Sequence, residues 1–254
     1  MAQNWLKNDE TLEDLQLRGL KLSQKKKGFR FGMDSVLLAH FAQIGPKDHV
    51  ADFGTGSGIL PLLLIGRGKG DIFECFEIQE SAAEMAERTM LMNHLEDRVH
   101  IICGDASKAH EQLQPCSLDA VICNPPYGLP GAVLESPYTS RAISRNQDAH
   151  MLAGFLKSAF RILKGRGRFF AVYPASQMLH IMQQMQEAHL EPKRFQLVYP
   201  DAEKAANLVL IEAVKDARPT LHPMMPLIIY TQDHRLTNRL ESVYNAEEPE
   251  QNMV

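Results

Sequence analysis

The sequence predicts an α/β fold in which a mostly parallel sheet of seven strands is covered by helices on both faces. From residue 50 onward, short apolar segments alternate with longer amphipathic segments, which is the pattern of repeated βα units. The last two strands, 195–199 and 208–214, follow each other without a long helix, so we expect one of them to be antiparallel. Four strands end in polar residues, at the edge where such sheets bind ligands: Asp52, Glu77, Asp105 and Asn124.

The elements can be assigned in order along the chain. We predict strands at residues 50–53, 72–77, 99–103, 118–123 and 168–173, then the two strands named above and a short one at 226–230. The predicted helices lie at residues 35–42, 59–66, 81–95, 107–113, 150–163 and 178–190. Between Gly128 and Gln147 lies a polar stretch of roughly twenty residues, which we interpret as a loop that is either functional or disordered.

Two extensions flank the predicted domain, which we place at residues 32–231. Residues 1–31 contain a weak alternation of leucines with polar side chains, interrupted at Gly19, and predict an N-terminal hairpin extension. Asp34 is well placed to cap the helix that follows. Residues 232–254 are polar and acidic, and we expect them to form a C-terminal tail.

The composition excludes several classes of protein. Apolar residues make up 44% and charged residues 23% of the chain, which is ordinary for a soluble domain, and the net charge of −4 gives no global attraction to nucleic acid. No apolar run could cross a bilayer and no signal peptide is visible, so we expect a cytoplasmic protein that does not bind membranes. The four cysteines have no zinc-like spacing, and we expect reduced thiols and no metal site.

A glycine-rich loop follows the first strand of the sheet, at residues 52–58. Its G-x-G-x-G spacing differs from the dinucleotide fingerprint and no P-loop lysine follows, but the glycines would let a small ligand approach the backbone. Glu77, about twenty residues later, can accept both hydroxyls of a ribose. Asp105 can accept from an adenine amine, with the amide of Ala106 beside it. The alternatives are a tight turn, a surface glutamate and a plain helix cap.

The fourth strand ends in Asn124-Pro125-Pro126-Tyr127. Two consecutive prolines fix φ twice and stop the strand, so the turn is stiff. Its acceptors, beside an aromatic ring, suit the binding of a planar amino group. The alternative is an ordinary proline-rich turn at a strand end.

Two basic clusters stand out against the acidic composition. One comprises Lys25, Lys26 and Lys27 with Arg30, and the other comprises Arg161, Lys164, Arg166 and Arg168. Either cluster could meet phosphates, and either could be a solvated surface.

The chain resembles the class I S-adenosylmethionine-dependent methyltransferases, whose sheet is Rossmann-like. The resemblance lies in four features: the loop at 52–58, Glu77, Asp105 and the Asn-Pro-Pro-Tyr motif. In that family these residues form the cofactor loop, the ribose acid, the adenine contact and the motif of amino-methyltransferases. The resemblance therefore implies S-adenosylmethionine as the cofactor. It implies a cofactor site made of Phe31, Asp34, Asp52, Gly54, Thr55, Gly56, Glu77, Ile78, Asp105, Ala106 and Asn124, and a catalytic corner made of Asn124, Pro125, Pro126 and Tyr127.

The chain also resembles the bacterial tRNA1(Val) adenine-N6-methyltransferase family, and this resemblance extends over about residues 12–231. The stretches that carry it lie at residues 28–39, 163–168, 191–194 and 226–230. This resemblance implies methylation of the N6 amine of an adenine in tRNA, at adenosine 37 of tRNA1(Val). We expect RNA contacts from Lys25, Lys26, Lys27, Arg30, Tyr138, Arg141 and Arg145. Ser144-Arg145-Asn146-Gln147 stands where the family has Ala-Arg-His-Glu, which leaves the substrate open.

Three alternatives remain on the sequence alone. A protein glutamine N5-methyltransferase or an rRNA amino-methyltransferase needs the same grip on a planar amine or amide. A binding module that keeps the cofactor but not the catalysis would have the same fold, although the intact Asn124 motif and Glu77 favour an enzyme. The sequence predicts no oligomeric state.

Overall fold

The computed structural model of the chain describes residues 5–27, 32–125 and 139–245, and for residues 139–150 it describes the backbone only. Within these residues a central sheet lies between two layers of helices, and a separate two-stranded hairpin packs beside them. This confirms the predicted α/β class.

Seven long strands form the central sheet, as predicted. They are β3 (His49–Phe53), β4 (Ile72–Glu77), β5 (Val99–Cys103), β6 (Leu118–Cys123), β7 (Leu163–Pro174), β8 (Leu190–Tyr199) and β9 (Leu208–Lys215). Two short strands, β10 (His222–Pro223) and β11 (Leu227–Ile228), extend it by pairing with β8. The order is β10-β8-β9-β7-β6-β3-β4-β5, and β9 is antiparallel to both of its neighbours, which confirms the expected antiparallel strand.

The sheet has its switch point between β3 and β6. From β3 the chain adds β4 and then β5 on one side, and later returns to pair β6 with the other side of β3. Phe53 and Cys123, the last residues of β3 and β6, are in register. The glycine loop and Asn124 therefore leave the sheet side by side, at the position where open α/β sheets bind ligands.

Each face of the sheet has its own layer of helices. One layer contains α1 (Met33–Phe41), α2 (Ile59–Gly66), α3 (Glu80–Met92) and α7 (Asn238–Tyr244). The other contains α4 (Ala109–Gln112), α5 (Thr139–Ile162) and α6 (Met178–Glu187). The helix α5 begins inside the stretch expected to be a loop, so that expectation is wrong from residue 139 onward. No helix among the described residues has the length and apolarity needed to cross a bilayer.

The predicted N-terminal hairpin is formed by β1 (Glu10–Asp14) and β2 (Lys21–Lys25), which pair antiparallel. Leu22 packs into the core shared with α1 and α2. Glu10, whose side chain is buried, accepts hydrogen bonds from both terminal nitrogens of Arg88 on α3, at 2.9 and 2.8 Å. The hairpin is therefore anchored to the domain by apolar packing and by a buried ion pair.

The C-terminal segment differs from the expected polar tail. Residues 238–244 form α7, whose Leu240 and Val243 are buried in the core beside α1. Thr237 caps this helix by accepting from the backbone N–H of Leu240. Apolar residues at helical spacing make this part of the segment pack on the domain. Residues 246–254 lie outside the described residues.

Candidate active site

A cavity of about 710 Å³ opens at the carboxyl ends of β3, β4, β5 and β6. Six residues predicted to bind the cofactor line it together with Asn124, and they are Gly54, Gly56, Glu77, Ile78, Asp105 and Ala106. These residues belong to four strand ends that the chain brings to one edge of the sheet. The volume is in the range of small-molecule sites.

The glycine loop presents bare backbone to this cavity. Gly54, Gly56 and Gly58 have φ of 79°, 58° and 82°, a region that L-amino acids with side chains rarely adopt. A Cβ atom added at Gly54 or Gly56 would meet no atom within 4 Å, so the space in front of the loop is open. At Gly58 it would lie 2.3 Å from the Sδ-bound methyl of Met90, so this glycine lets the loop pack on α3.

Glu77 connects the loop to the cavity. It is nearly buried, and its two oxygens accept from the backbone N–H groups of Gly56 and Gln79, each at 2.9 Å. A carboxylate oxygen has a second lone pair, so this fixed side chain can still accept hydrogen bonds from a ligand. A rigid, charged acceptor of this kind suits the paired hydroxyls of a ribose.

Asp105 both caps a turn and lines the cavity. Its Oδ1 accepts from the N–H of Ser107 at 2.9 Å, which is the helix-cap role considered above. The side chains of Ile78 and Phe155 line the cavity too, and Ile78 is 68% exposed although it is apolar. Apolar side chains beside a carboxylate acceptor are suited to a planar base that carries an amine.

Asn124 is held by a residue that the sequence did not suggest. Its Nδ2 donates to Oγ of Ser35, a buried side chain on α1, at 2.9 Å. The two residues are 89 positions apart, and a serine in the first turn of a helix carries no signal of such a contact. This hydrogen bond fixes the plane of the amide and directs its nitrogen toward α1.

Three other predicted cofactor residues are not in the cavity wall that the described residues form: Asp34, Asp52 and Thr55. Asp52 and Thr55 are buried behind the glycine loop. By strict geometry neither oxygen of Asp52 has a hydrogen-bond partner among the described residues, although the nearby hydroxyl of Thr55 acts to lower its pKa. Burial, with a smaller contribution from the charge of Glu77, raises the pKa of Asp52 to about 7. Asp52 is thus a buried acid that titrates near neutrality.

The first basic cluster lies closer to the cavity than expected. Lys25 and Lys27 line it, whereas Lys26 donates to the carbonyl oxygen of Asn8 at 2.7 Å. The second cluster is at the opposite end of the sheet, where Lys164 and Arg168 are paired with carboxylates at 2.6 and 2.9 Å. We therefore do not assign the second cluster to the site.

The remaining predicted residues cannot be placed by their side chains. Phe31, Arg30, Pro126, Tyr127 and Tyr138 lie outside the described residues, and Arg141 and Arg145 belong to the part of α5 described by its backbone only. Within the described ranges, no group of three histidine, cysteine or acidic side chains could hold a metal ion.

Comparison with known families identifies the family of this chain. The model of the methyltransferase small domain matches residues 33–193, which contain the glycine loop, Glu77, Asp105 and Asn124. The chain belongs to the methyltransferase small domain family. This confirms the resemblance to class I methyltransferases and makes the protein an S-adenosylmethionine-dependent methyltransferase.

Relatives of this methyltransferase match most of the chain. A tRNA1(Val) (adenine(37)-N6)-methyltransferase of Aliivibrio salmonicida is 26% identical over 207 residues, which cover 81% of this chain and 85% of the relative. A protein of the same name from Parabacteroides distasonis is 24% identical over 229 residues, which cover 90% of this chain and 94% of the relative.

Two solved structures share the fold of this methyltransferase. A predicted O-methyltransferase from Agrobacterium tumefaciens has a TM-score of 0.70 at 20% identity, covering 87% of this chain and all of that one. The structure of P. horikoshii TYW2 in complex with MeSAdo has a TM-score of 0.56 at 16% identity. The match covers 83% of this chain and 73% of that one. At these identities the likeness shows the fold alone.

The cavity of this methyltransferase fits its cofactor. The open space in front of Gly54 and Gly56 admits a ligand against bare backbone, and Glu77 supplies a fixed acceptor for a ribose. Asp105 and Ala106 line the same cavity and offer an acceptor and an amide that could contact an adenine amine, and Asn124 borders the same space. When bound, the cofactor supplies a methyl group on a sulfonium, which is already an activated leaving group.

Proposed function

We propose that this enzyme methylates the N6 amine of an adenine in tRNA, and that its target is adenosine 37 of tRNA1(Val). The observation that carries the proposal is the position of Asn124, which follows β6 next to the glycine loop and borders the cofactor cavity. The relatives named for this activity support it, since they match along 81% and 90% of the chain.

The chemistry of the amine explains why such a corner is needed. The lone pair of an adenine amine is delocalised into the ring, so the amine is a poor nucleophile. If Oδ1 of Asn124 and the carbonyl oxygen of Pro125 accept its two protons, the nitrogen is favoured in a pyramidal geometry with its lone pair available. Ser35 serves this arrangement, because its hydrogen bond to Nδ2 sets the direction of the amide. Catalysis then depends mainly on position and electrostatics, and no strong base is required.

The target base has to leave its stack to reach this corner. We assign Tyr127 to stacking on the base, a contact worth about 1–3 kcal/mol in other proteins that bind single-stranded nucleic acid. Tyr138, Arg141 and Arg145 are assigned to holding the unstacked nucleotide, and Lys26 and Arg30 to phosphates. The helix α5 carries Arg141 and Arg145 in its first two turns, so these two would approach the RNA from a helix rather than from a loop.

The decisive experiment combines one variant with one altered RNA. Asn124→Ala should bind S-adenosylhomocysteine within about twofold of the wild type, while methyl transfer to tRNA1(Val) falls by about 10²-fold or more. The matched control is Asn245→Ala, an exposed asparagine at the end of α7, which should leave both unchanged. The wild type should not methylate a transcript with guanosine in place of adenosine 37.

The assignment fails if Asn124→Ala transfers methyl groups at the wild-type rate, or if tRNA1(Val) is not methylated at all. Incubating the wild type with labelled cofactor and total tRNA, ribosomal RNA or protein separates the proposed acceptor from the two alternative ones. Absence of transfer to all three, with cofactor binding intact, would indicate a binding module.

A further inference from the structure

One cationic side chain in the cofactor cavity has no partner among the residues that the structure describes. Of the described residues that line the cavity, only Lys25 and Lys27 are basic. Lys25 is neutralised, because its ammonium lies 2.8 Å from Asp9 and 3.5 Å from Glu10. Lys27 is exposed, and its ammonium has no hydrogen bond or ion pair to any described residue. The described part of the wall therefore contains one positive charge that no described residue compensates.

Four backbone N–H groups of the glycine loop already have acceptors within the protein. The N–H groups of Gly54 and Thr55 donate to the carbonyl of Phe76 at 2.9 and 3.0 Å, and that of Gly56 donates to Glu77. The N–H of Gly58 donates to the carbonyl of Thr55. Because these four donors are already committed, a charged side chain is the stronger partner for a negatively charged ligand group near the loop.

The cofactor carries one negative group, the carboxylate of its methionine part, at the end of the molecule farthest from the adenine. Asp105, Phe155 and Ala106 line the part of the cavity assigned to the base, whereas Lys27 comes from the hairpin, which packs on α3. We propose that the ammonium of Lys27 binds the carboxylate of the methionine part. The lysine then serves the cofactor instead of an RNA phosphate.

This assignment concerns the cofactor alone, so it does not depend on the identity of the acceptor. It also gives the N-terminal hairpin a role, because the hairpin places a charge that the methyltransferase sheet lacks at this position. The ion pair of Glu10 with Arg88 holds the hairpin against α3 and thereby fixes the position of residue 27.

Two ligands that differ only at the methionine end provide the test. S-adenosylhomocysteine has the carboxylate, whereas 5′-methylthioadenosine lacks the whole amino-acid part. In calorimetric titrations without RNA, Lys27→Met should weaken S-adenosylhomocysteine by about tenfold and change 5′-methylthioadenosine by less than about twofold. Lys27→Arg should recover most of the affinity. Lys47→Met removes the same charge from an exposed residue just before β3 that does not line the cavity, and it should alter neither titration.

Each other outcome overturns the proposal. Unchanged binding of S-adenosylhomocysteine by Lys27→Met would show that the carboxylate is bound elsewhere. An equal loss for both ligands would show that Lys27 merely shapes the cavity. If Lys27→Met weakens only the binding of tRNA, and this binding also depends less on the salt concentration than that of the wild type, Lys27 is an RNA contact. If the proposal for Lys27 fails, the proposed methylation of tRNA still stands, because the titrations of the two cofactor analogues contain no RNA.

Discussion

Removal of Arg88 should loosen the hairpin that forms one side of the cofactor cavity. Burial alone would raise the pKa of Glu10, but hydrogen bonds from Arg88 and the N–H of Lys7 outweigh it and lower the pKa from 4.5 to about 2. A shift of this size corresponds to about 3 kcal/mol of stability, and screening at the edge of the hairpin reduces it to between about 1.5 and 3 kcal/mol. In Arg88→Met, Lys25 at 3.5 Å is the only cationic side chain among the described residues that still pairs with the buried carboxylate.

We therefore expect Arg88→Met to lower the free energy of unfolding by about 1.5–3 kcal/mol at pH 7, which lies at or below the lower end of the cost of breaking a fully buried ion pair. Because the pKa of Glu10 is lowered in the folded state, its contribution is complete above pH 4.5 and is lost as the pH falls toward 2. The difference between the wild type and the variant should accordingly shrink at pH 3.

Urea unfolding followed by two signals measures this. The single tryptophan, Trp5, lies at the foot of the hairpin, and its carbonyl oxygen accepts a hydrogen bond from Arg88, so its fluorescence reports hairpin docking. Circular dichroism reports the helices. In Arg88→Met the fluorescence transition should precede the dichroism transition, because the hairpin is a separate two-stranded sheet that can detach first.

Two controls make the result interpretable. Lys204→Met removes an exposed pair with Asp201 and should leave the unfolding curve unchanged. The double variant Glu10→Gln with Arg88→Met should lose less than the single variants added together, since no unpaired charge remains buried. A loss below about 0.5 kcal/mol in Arg88→Met, or the same loss at pH 3 and pH 7, would refute the account.

Three further predictions concern the site. Ser35→Ala should lower kcat about tenfold without weakening S-adenosylhomocysteine, because Ser35 positions Asn124 and does not line the cavity; equal effects on both would contradict this. Glu77→Gln should weaken S-adenosylhomocysteine by about tenfold or more in calorimetry, since a charged acceptor is lost; an unchanged affinity would place the ribose elsewhere. Asp52 has a raised pKa, so the unfolding free energy of the wild type should fall as the pH rises from 4 to 7, by at most about 1.4 kcal/mol per unit. Asp52→Asn should lack this slope in urea unfolding, and retention of the slope would assign it to another group.

The sequence was sufficient for the parts of the fold that depend on local pattern. The helix at residues 59–66 and the strand at residues 118–123 have the predicted bounds, because apolar periodicity and the flanking glycines and prolines act within a few residues. The strand ends at Glu77, Asp105 and Asn124 lie on one cavity, as their common position after parallel strands implied. Local patterns failed at α5 and α7, where a helix continued into polar sequence or was stabilised by packing on a distant surface.

Contacts between residues far apart in the chain were decided by the tertiary structure alone. The hydrogen bond from Asn124 joins it to a serine 89 positions away, and the ion pair of Glu10 spans 78 positions. The place of Lys27 beside the cavity follows from how the hairpin packs on α3. Residue type and spacing determine which groups are available for chemistry. The packing of distant segments determines which of these groups come into contact with one another. No periodicity in the sequence encodes those contacts.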